Sequence, residues 1–225
     1  MTAFTFTETL SRVMTSCGGT CSAVTRMSMM TIRSTKGIGE VVVFHSDHED
    51  SIKAVEEIGR TCQMMDVIFS PRLIPDAFDL VSTAMEIQRT ILELRASSKQ
   101  IAVFNIAGGT RIMSASALLV CTLEGLNAVY VHDDSHREIP LPLLQIKYSD
   151  ILTDQEKMIL RFLLDKKGAE VTQRDLAREL HLQKATVNHH VQQLIGKRAV
   201  RLEEKAGDKR VRLIKVEDSM ALLLR

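Results

Sequence analysis

A glycine turn between an apolar segment and a helix is the stretch of this sequence best suited to chemistry. Residues 101–106 form a short apolar run typical of a strand buried on both faces, and residues 111–124 have helical composition, with Gly125 as a stop signal. Residues 107–110, Ala-Gly-Gly-Thr, separate the two. A helix N-terminus behind paired glycines offers unpaired N–H groups and partial positive charge, which suits a phosphate group. An ordinary tight turn between strand and helix would look the same in sequence.

Two residues at the helix start support the phosphate interpretation. Thr110 can cap the helix, and Arg111 can add a forked cationic contact. The sequence Gly18-Gly19-Thr20 repeats the pattern in front of a methionine-rich helix predicted over 21–33. It would make a second phosphate-facing turn.

The elements around these turns alternate between strand and helix. Strands are predicted at Thr2–Thr7, Glu40–His45, Met64–Ser70, 101–106 and Asn127–His132, and helices at about 48–59, from Pro75 onward and over 111–124. This alternation predicts an α/β domain with a mainly parallel sheet, in which ligands bind at the carboxyl ends of the strands. Residues 8–17 carry no clear pattern. The pair Gly37-Ile-Gly39 precedes its strand and therefore cannot be a dinucleotide turn.

Local signals set the expected boundaries of these elements. Ser46-Asp47 is expected to cap the second helix, Pro71 to end the third strand, and Phe78 to belong to the apolar stripe of the third helix. The helix over 111–124 is apolar nearly all round, so it must be covered on two sides. Its own sheet would cover one side. The same helix of a second subunit, or other parts of its own monomer, would cover the other.

The sequence changes character after Pro140 and Pro142, so we place a domain boundary between residues 145 and 146. Capping boxes at Thr153 and Thr172 begin two helices. Residues 184–196 predict a third helix, and 200–204 and 210–216 alternate like strands joined by a turn at 205–209. This order predicts an α+β winged helix-turn-helix domain at 146–225, behind an α/β domain at 1–145.

Charge is divided unevenly between the two predicted domains. Residues 151–225 hold 16 Lys and Arg against 11 Asp and Glu, a net charge of +5, whereas residues 1–150 hold 13 against 17, a net charge of −4. A basic excess confined to one segment is the distribution expected for contact with nucleic acid, although a solvated basic surface is also compatible with it.

The third helix of the second domain predicts how double-stranded DNA would be read. Val187, Val191 and Leu194 share one face and should pack on the other two helices. The opposite face can pair with base edges in the major groove through Thr186, Asn188, His189 and Gln192. Cations at the hairpin and the helix starts would hold phosphates without reading sequence: Arg174, Lys184, Lys205, Lys209 and Arg210.

The overall composition excludes several classes of protein. No apolar run is long enough to span a membrane, and residues 1–10 lack a signal-peptide pattern. The four scattered cysteines predict a reduced, cytoplasmic protein, and the spacing of Cys17 and Cys21 does not predict a zinc site. We therefore expect no metal, no cofactor and no membrane partner.

The motif at residues 105–111, Asn-Ile-Ala-Gly-Gly-Thr-Arg, closely resembles the Asn-x-Thr-Gly-Gly-Thr-Lys motif of the CARF domain, the CRISPR-associated Rossmann-like sensor. The segments 74–79, 130–133 and 139–141 are also similar to that family. A winged helix behind such a domain resembles the CARF-containing transcriptional regulators of archaeal CRISPR loci.

The resemblance implies a homodimer that binds a cyclic oligoadenylate, in most cases the tetra-adenylate ring, across its two-fold axis. Six residues of the motif and three residues near the N-terminus would form the site: Gly18, Gly19, Thr20, Asn105, Ala107, Gly108, Gly109, Thr110 and Arg111. Ala107 stands where the family has threonine, and Arg111 stands where it has lysine. The planar guanidinium of Arg111 would grip a phosphate differently from an ammonium group.

The leading hypothesis is thus a ligand-responsive, dimeric regulator that binds the promoters of CRISPR-associated genes and is not an enzyme. A second hypothesis is a ring nuclease that cleaves its own cyclic oligoadenylate, with Thr110 and Arg111 available but no general base evident. A third is a metabolite-sensing transcription factor unrelated to CRISPR.

Overall fold

The computed structural model describes residues 11–17, 28, 31–33, 35, 37–97, 100–132, 134–135, 137–166 and 168–224. The chain divides into two compact units, one up to Lys147 and the other from Tyr148 onward. The predicted strand Thr2–Thr7, the second turn Gly18-Gly19-Thr20 and most of the helix predicted over 21–33 lie outside the described residues.

The first unit is built on a six-stranded sheet, as the alternating pattern predicted. Its strands are β1 (Ser11–Cys17), β2 (Ile38–His45), β3 (Ile68–Leu73), β4 (Ile101–Asn105), β5 (Ala128–Val131) and β6 (Glu138–Pro140). Their order across the sheet is β3-β2-β1-β4-β5-β6. All neighbouring pairs are parallel except β5 and β6, which are antiparallel. The prediction of an α/β fold with a mainly parallel sheet is confirmed.

Helices α1 (Glu49–Met64), α2 (Leu80–Ala96) and α3 (Arg111–Glu124) connect these strands. Parallel crossovers are right-handed, and the chain reverses direction across the sheet between β3 and β4. Helix α1 therefore covers one face, while α2 and α3 cover the other. On the α1 face, Val41 and Val43 pack with Ala54 and Ile58. On the other face α2 and α3 pack together, with the Ser116 hydroxyl donating to the Leu80 carbonyl.

Helix α3 begins and ends where the sequence predicted. The Thr110 hydroxyl accepts from the Met113 N–H at 3.1 Å, and Gly125 ends the helix in the left-handed conformation with φ of 63°. Met113, Ala117 and Val120 are fully buried within the unit, whereas Leu118 is 37% exposed. The buried face of α3 is thus apolar, as predicted. Its outer face is only partly apolar, so the helix is less apolar all round than its sequence predicted.

Helix α1 continues past its predicted end at residue 59 to Met64, so the strand predicted from Met64 begins only at Ile68. Three further sequence predictions in this unit are wrong. Helix α1 is capped by His48, whose ring accepts from the Asp50 N–H, because Ser46 is buried in a hydrogen bond with Ser51. Pro71 lies inside β3 and does not end it, because β3 is an edge strand where the missing N–H costs no ladder bond.

The third error concerns the start of α2. The helix begins at Leu80 and not at Pro75, because the Asp79 side chain caps it by accepting from the Ser82 N–H. Asp76 makes a separate turn before the cap, accepting from the N–H groups of Phe78 and Asp79. Phe78 consequently lies outside the helix and is 81% exposed, so it is no part of the core.

The second unit has three helices and a β-hairpin, which confirms the predicted winged helix-turn-helix. Its elements are a 3₁₀ turn (Tyr148–Ile151), α4 (Asp154–Asp165), α5 (Gln173–Glu179), α6 (Lys184–Gly196), β7 (Val200–Lys205), β8 (Asp208–Val216) and a final 3₁₀ helix (Asp218–Leu223). Both predicted capping boxes are present, at Thr153 and Thr172. The hairpin turn is shorter than predicted, because Gly207 adopts φ of 87° and allows a two-residue loop.

An ion pair between the buried Glu156 and the half-exposed Lys197 ties the end of α6 to the start of α4. The Lys197 ammonium donates at 2.8 Å to both oxygens of Glu156, which is 1% exposed, and at 3.1 Å to the Ile151 carbonyl. Burial alone would raise the pKa of Glu156, but the hydrogen bonds from Lys197 and the Thr153 backbone outweigh it and lower the pKa. Helix α6 is therefore fixed at its C-terminal end to the first residues of its own unit.

Candidate functional site

The carboxyl ends of β1 and β4 form the topological switch point of the sheet. From β1 the chain passes to β2 and β3 on one side, then returns to β4 on the other. The two strands are direct neighbours, with Thr15 opposite Asn105. In sheets of this kind ligands bind in the crevice at the switch point. The turn 107–110 follows β4 there, whereas Gly18, Gly19 and Thr20 lie outside the described residues.

Two of the predicted ligand residues, Asn105 and Ala107, lie beneath the turn. Asn105 is fully buried, and its side-chain carbonyl accepts from the Ala107 N–H at 2.9 Å. Ala107 is 3% exposed and packs against Val131. This arrangement fixes the backbone of the turn. It makes Asn105 a supporting residue and leaves the methyl group of Ala107 directed away from solvent.

The remaining residues of the turn are accessible. Gly108, Gly109 and Thr110 are half-buried and Arg111 is exposed. Gly108 has φ of 95°, a conformation that a side chain would strain. Since the first turn of a helix has no intrahelical acceptors, the N–H groups of Arg111 and Ile112 are directed toward any ligand in front of the helix.

The Thr110 hydroxyl is used within the protein. Besides accepting from Met113, it donates to the Ala77 carbonyl at 3.3 Å. Thr110 therefore joins the turn to the segment between β3 and α2. It can offer a ligand its backbone N–H but not a hydroxyl that is free of other contacts.

In the second unit, helix α6 presents the two faces that the sequence predicted. Val187, Val191 and Leu194 are fully buried in the core of the unit. On the opposite face, Asn188, His189 and Gln192 are exposed and Thr186 is half-buried. This polar face carries amide, imidazole and hydroxyl groups, the side-chain types that pair with base edges in a major groove.

A groove of about 510 Å³ runs between α5, α6 and the hairpin. It brings together five of the predicted DNA-contacting residues: Arg174, Lys184, Asn188, Gln192 and Arg210. Its lining also includes an amide and a cation that the sequence analysis missed, Gln173 and Arg212. Among the described residues of its lining, the groove has four cations and no carboxylate, which favours an anionic partner. The alternation of β8 could have identified Arg212, since it lies two residues after Arg210.

Pairings within the protein modify the roles of some of these residues. The Gln173 amide donates to the Asn188 side-chain carbonyl at 3.3 Å, which orients Asn188 on its helix. Lys205 forms an ion pair with Glu170 at 2.7 Å, and this hydrogen bond and charge raise the pKa of Lys205. Lys205 must leave Glu170 to hold a phosphate. The side chain of Lys209 lies outside the described part of the chain.

Comparison with known proteins identifies one family. Residues 152–211 match the model of the MarR family, a stretch that contains α4, α5, α6, β7 and the start of β8. The second unit is therefore a winged helix-turn-helix domain of the MarR type. No curated protein has a sequence that matches this chain. In the described part of the chain, no helix combines the length and the apolar character needed to cross a bilayer.

Solved structures resemble parts or most of the chain. MarR from Oenococcus oeni PSU-1 is 25% identical, over 34% of this chain and 59% of its own, with a TM-score of 0.31. The S. aureus MepR–DNA complex is 24% identical, over 33% and 55%, with a TM-score of 0.32. Can2 from Sulfobacillus thermosulfidooxidans in complex with cyclic tetra-adenylate is 11% identical, over 95% and 63%, with a TM-score of 0.46. The chain spans less than two thirds of the length of each.

Proposed function

We propose that this chain is a cytoplasmic, ligand-responsive DNA-binding regulator of CRISPR-associated genes, which acts as a homodimer and senses a cyclic oligoadenylate, the tetra-adenylate ring first among them. One observation carries the proposal. A phosphate-type turn at the switch point of a parallel sheet precedes a MarR-type winged helix with a cationic groove in the same chain. The first feature suits an anionic messenger, and the second suits a promoter.

The choice of ligand rests on the motif at 105–111 and on the geometry of the turn. The motif resembles that of the CARF domain, and its accessible part offers backbone N–H groups and one exposed guanidinium, Arg111. These groups suit phosphodiester oxygens. A ring of phosphates about a two-fold axis would be bound by two copies of the turn, which is the reason for proposing a homodimer. The outer face of α3, with Arg111, Ala115 and Leu118 exposed, is the surface we assign to the second copy.

Helix α3 also supports a route from ligand to DNA. It starts at the turn and ends at Gly125, where a side-chain carbon would lie 2.7 Å from the backbone nitrogen of Ile146. The segment that leaves the first unit is thus packed directly against the end of α3. Five residues later, the Ile151 carbonyl accepts from Lys197 at the end of the recognition helix. A shift of α3 on ligand binding would reach the second unit through this short connection.

The proposal is tested by titrating the full-length protein onto DNA from its own upstream region, with and without cyclic tetra-adenylate. We expect specific binding, and a change of at least about 5-fold in affinity when the ring is added, the lower end of typical allosteric coupling. An Arg111→Ala variant should keep its DNA affinity and lose the response to the ring. A scrambled DNA of equal length and linear tetra-adenylate serve as controls.

The outcomes separate the parts of the proposal. Equal affinity for scrambled and upstream DNA would contradict promoter recognition. DNA binding without any binding of the ring would contradict the messenger and leave a sensor of another metabolite. Conversion of the ring to linear product, followed by mass spectrometry, would show an enzyme instead of a pure sensor.

A further inference from the structure

Phe78 is more exposed than any other large apolar side chain in the described part of the chain, at 81%. Its neighbours in the same segment are anchored: Ile74 is 2% exposed and Ala77 is 5% exposed. The segment between β3 and α2 therefore buries its small and branched residues and leaves its aromatic ring in solvent. A phenyl ring left in solvent on an anchored segment is available to stack on a flat partner.

The backbone that carries this ring is fixed. The Asp76 carboxylate accepts from the N–H groups of Phe78 and Asp79 at 3.0 and 3.2 Å, and the Asp76 carbonyl accepts from the Thr83 hydroxyl at 3.0 Å. Asp79 in turn caps α2. The ring is presented by a preorganised turn and not by a loose loop, which lowers the entropic cost of binding to it.

The same segment is joined to the candidate ligand turn. The Ala77 carbonyl, one residue before Phe78, accepts from the Thr110 hydroxyl at 3.3 Å. At its other end, the Ile74 N–H donates to the carbonyl of His45, the last residue of β2, at 2.7 Å. The segment thus connects the carboxyl end of β2 with Thr110, the last residue of the candidate ligand turn.

We propose that Phe78 is the stacking platform for a base of the bound ligand. This inference rests on the proposed function, since it assumes that a ligand occupies the turn after β4. Phe78 stands one residue after the carbonyl that contacts Thr110. A base of the proposed ligand can therefore stack on its ring while a phosphate meets the N–H groups of the turn. The site then selects a ligand with unpaired purines over an anion without a base. Stacking of one base on an aromatic side chain changes affinity by roughly 5- to 150-fold.

The test compares cyclic tetra-adenylate and cyclic tetra-uridylate by calorimetric titration of the full-length protein. The variants are Phe78→Ala, Phe78→Leu and Phe78→Tyr, with Met64→Ala as a control at an equally exposed apolar position (80%). We expect Phe78→Ala and Phe78→Leu to bind tetra-adenylate at least about 5-fold more weakly, and Phe78→Tyr and Met64→Ala to stay within about 2-fold of wild type. The preference for adenine over uracil should shrink in Phe78→Ala, because purines stack more extensively.

Several results would overturn this inference. If wild type binds tetra-adenylate and Phe78→Ala binds it equally well, the platform is wrong and the proposed ligand stands. If Phe78→Leu binds tetra-adenylate as tightly as wild type does, the ligand makes only an apolar contact with residue 78 and no stacking interaction. If Phe78→Ala lowers the molar mass in light scattering, the ring belongs to a subunit contact. If wild type binds no ring at all, the proposed ligand fails and the platform fails with it. Unchanged melting temperatures would show that the variants are folded.

Discussion

The salt dependence of DNA binding tests the assignment of the cationic groove most directly. The groove is lined by four cations: Arg174, Lys184, Arg210 and Arg212. If each neutralises one phosphate, log K falls against log salt with a slope of about −3.6 per protomer, since each phosphate contributes about −0.9. Replacing Arg174 by alanine should reduce this slope to about −2.7. Between 50 and 200 mM salt, wild type would lose about 150-fold per protomer in affinity and the variant about 40-fold.

Fluorescence anisotropy at four salt concentrations, with matched and scrambled DNA, measures both slope and specificity. Arg178→Ala is the matched control, because Arg178 lies on the same helix, is exposed, and pairs with Asp175 and Glu179 outside the groove. Gln192→Ala should keep the wild-type slope and change which sequence is preferred. A wild-type slope in Arg174→Ala, or a reduced slope in Gln192→Ala with unchanged preference, would refute the division between phosphate-holding and base-reading residues.

Further predictions concern stability and coupling. Lys197→Met should lower the free energy of unfolding at pH 7, measured by thermal denaturation, by about 3 kcal/mol, because it leaves the Glu156 carboxylate buried without its cation. This loss should shrink as the pH falls through the depressed pKa of Glu156, where the carboxylate is protonated and needs no cation; a loss independent of pH would contradict it. Gly125→Ala should lower the free energy of unfolding by about 2 kcal/mol, because alanine is strained at this positive φ and its Cβ would clash with Ile146. The same variant should bind DNA equally well with and without the ring; an unchanged melting temperature would refute the predicted strain. Burial raises the pKa of Cys121 to about 12, so iodoacetamide should label it only after unfolding, as peptide mass spectrometry can show.

The elements predicted correctly from sequence are those whose signals are local. Helix α3 has a capping threonine and a terminal glycine, and both capping boxes of the second unit combine a threonine with an acidic residue three positions on. Such signals act within one turn of chain, so they do not depend on the rest of the fold. The division of α6 into a buried and an exposed face followed in the same way from helical spacing.

Strand β1 escaped prediction because its partners are distant in sequence. Strand β1, at the switch point, has the sequence Ser-Arg-Val-Met-Thr-Ser-Cys, which shows neither a continuous apolar run nor clear alternation. It is a strand because β2 and β4 pair with it on both sides. Two other misses had local causes. Asp76 makes a turn that competes with an earlier start of α2, and Arg212 lies two residues after Arg210 in the alternating strand β8.

Prolines stand in both border strands of the six-stranded sheet, Pro71 in β3 and Pro140 in β6. A residue without an amide hydrogen interrupts the row of donors that an incoming strand would need. Lateral growth of the sheet from one molecule into another is therefore discouraged on either flank. Self-association of the first unit is left to its helices and to the crevice above the strands. The arrangement that prevents fibrous stacking thus confines pairing to the surfaces around the switch point.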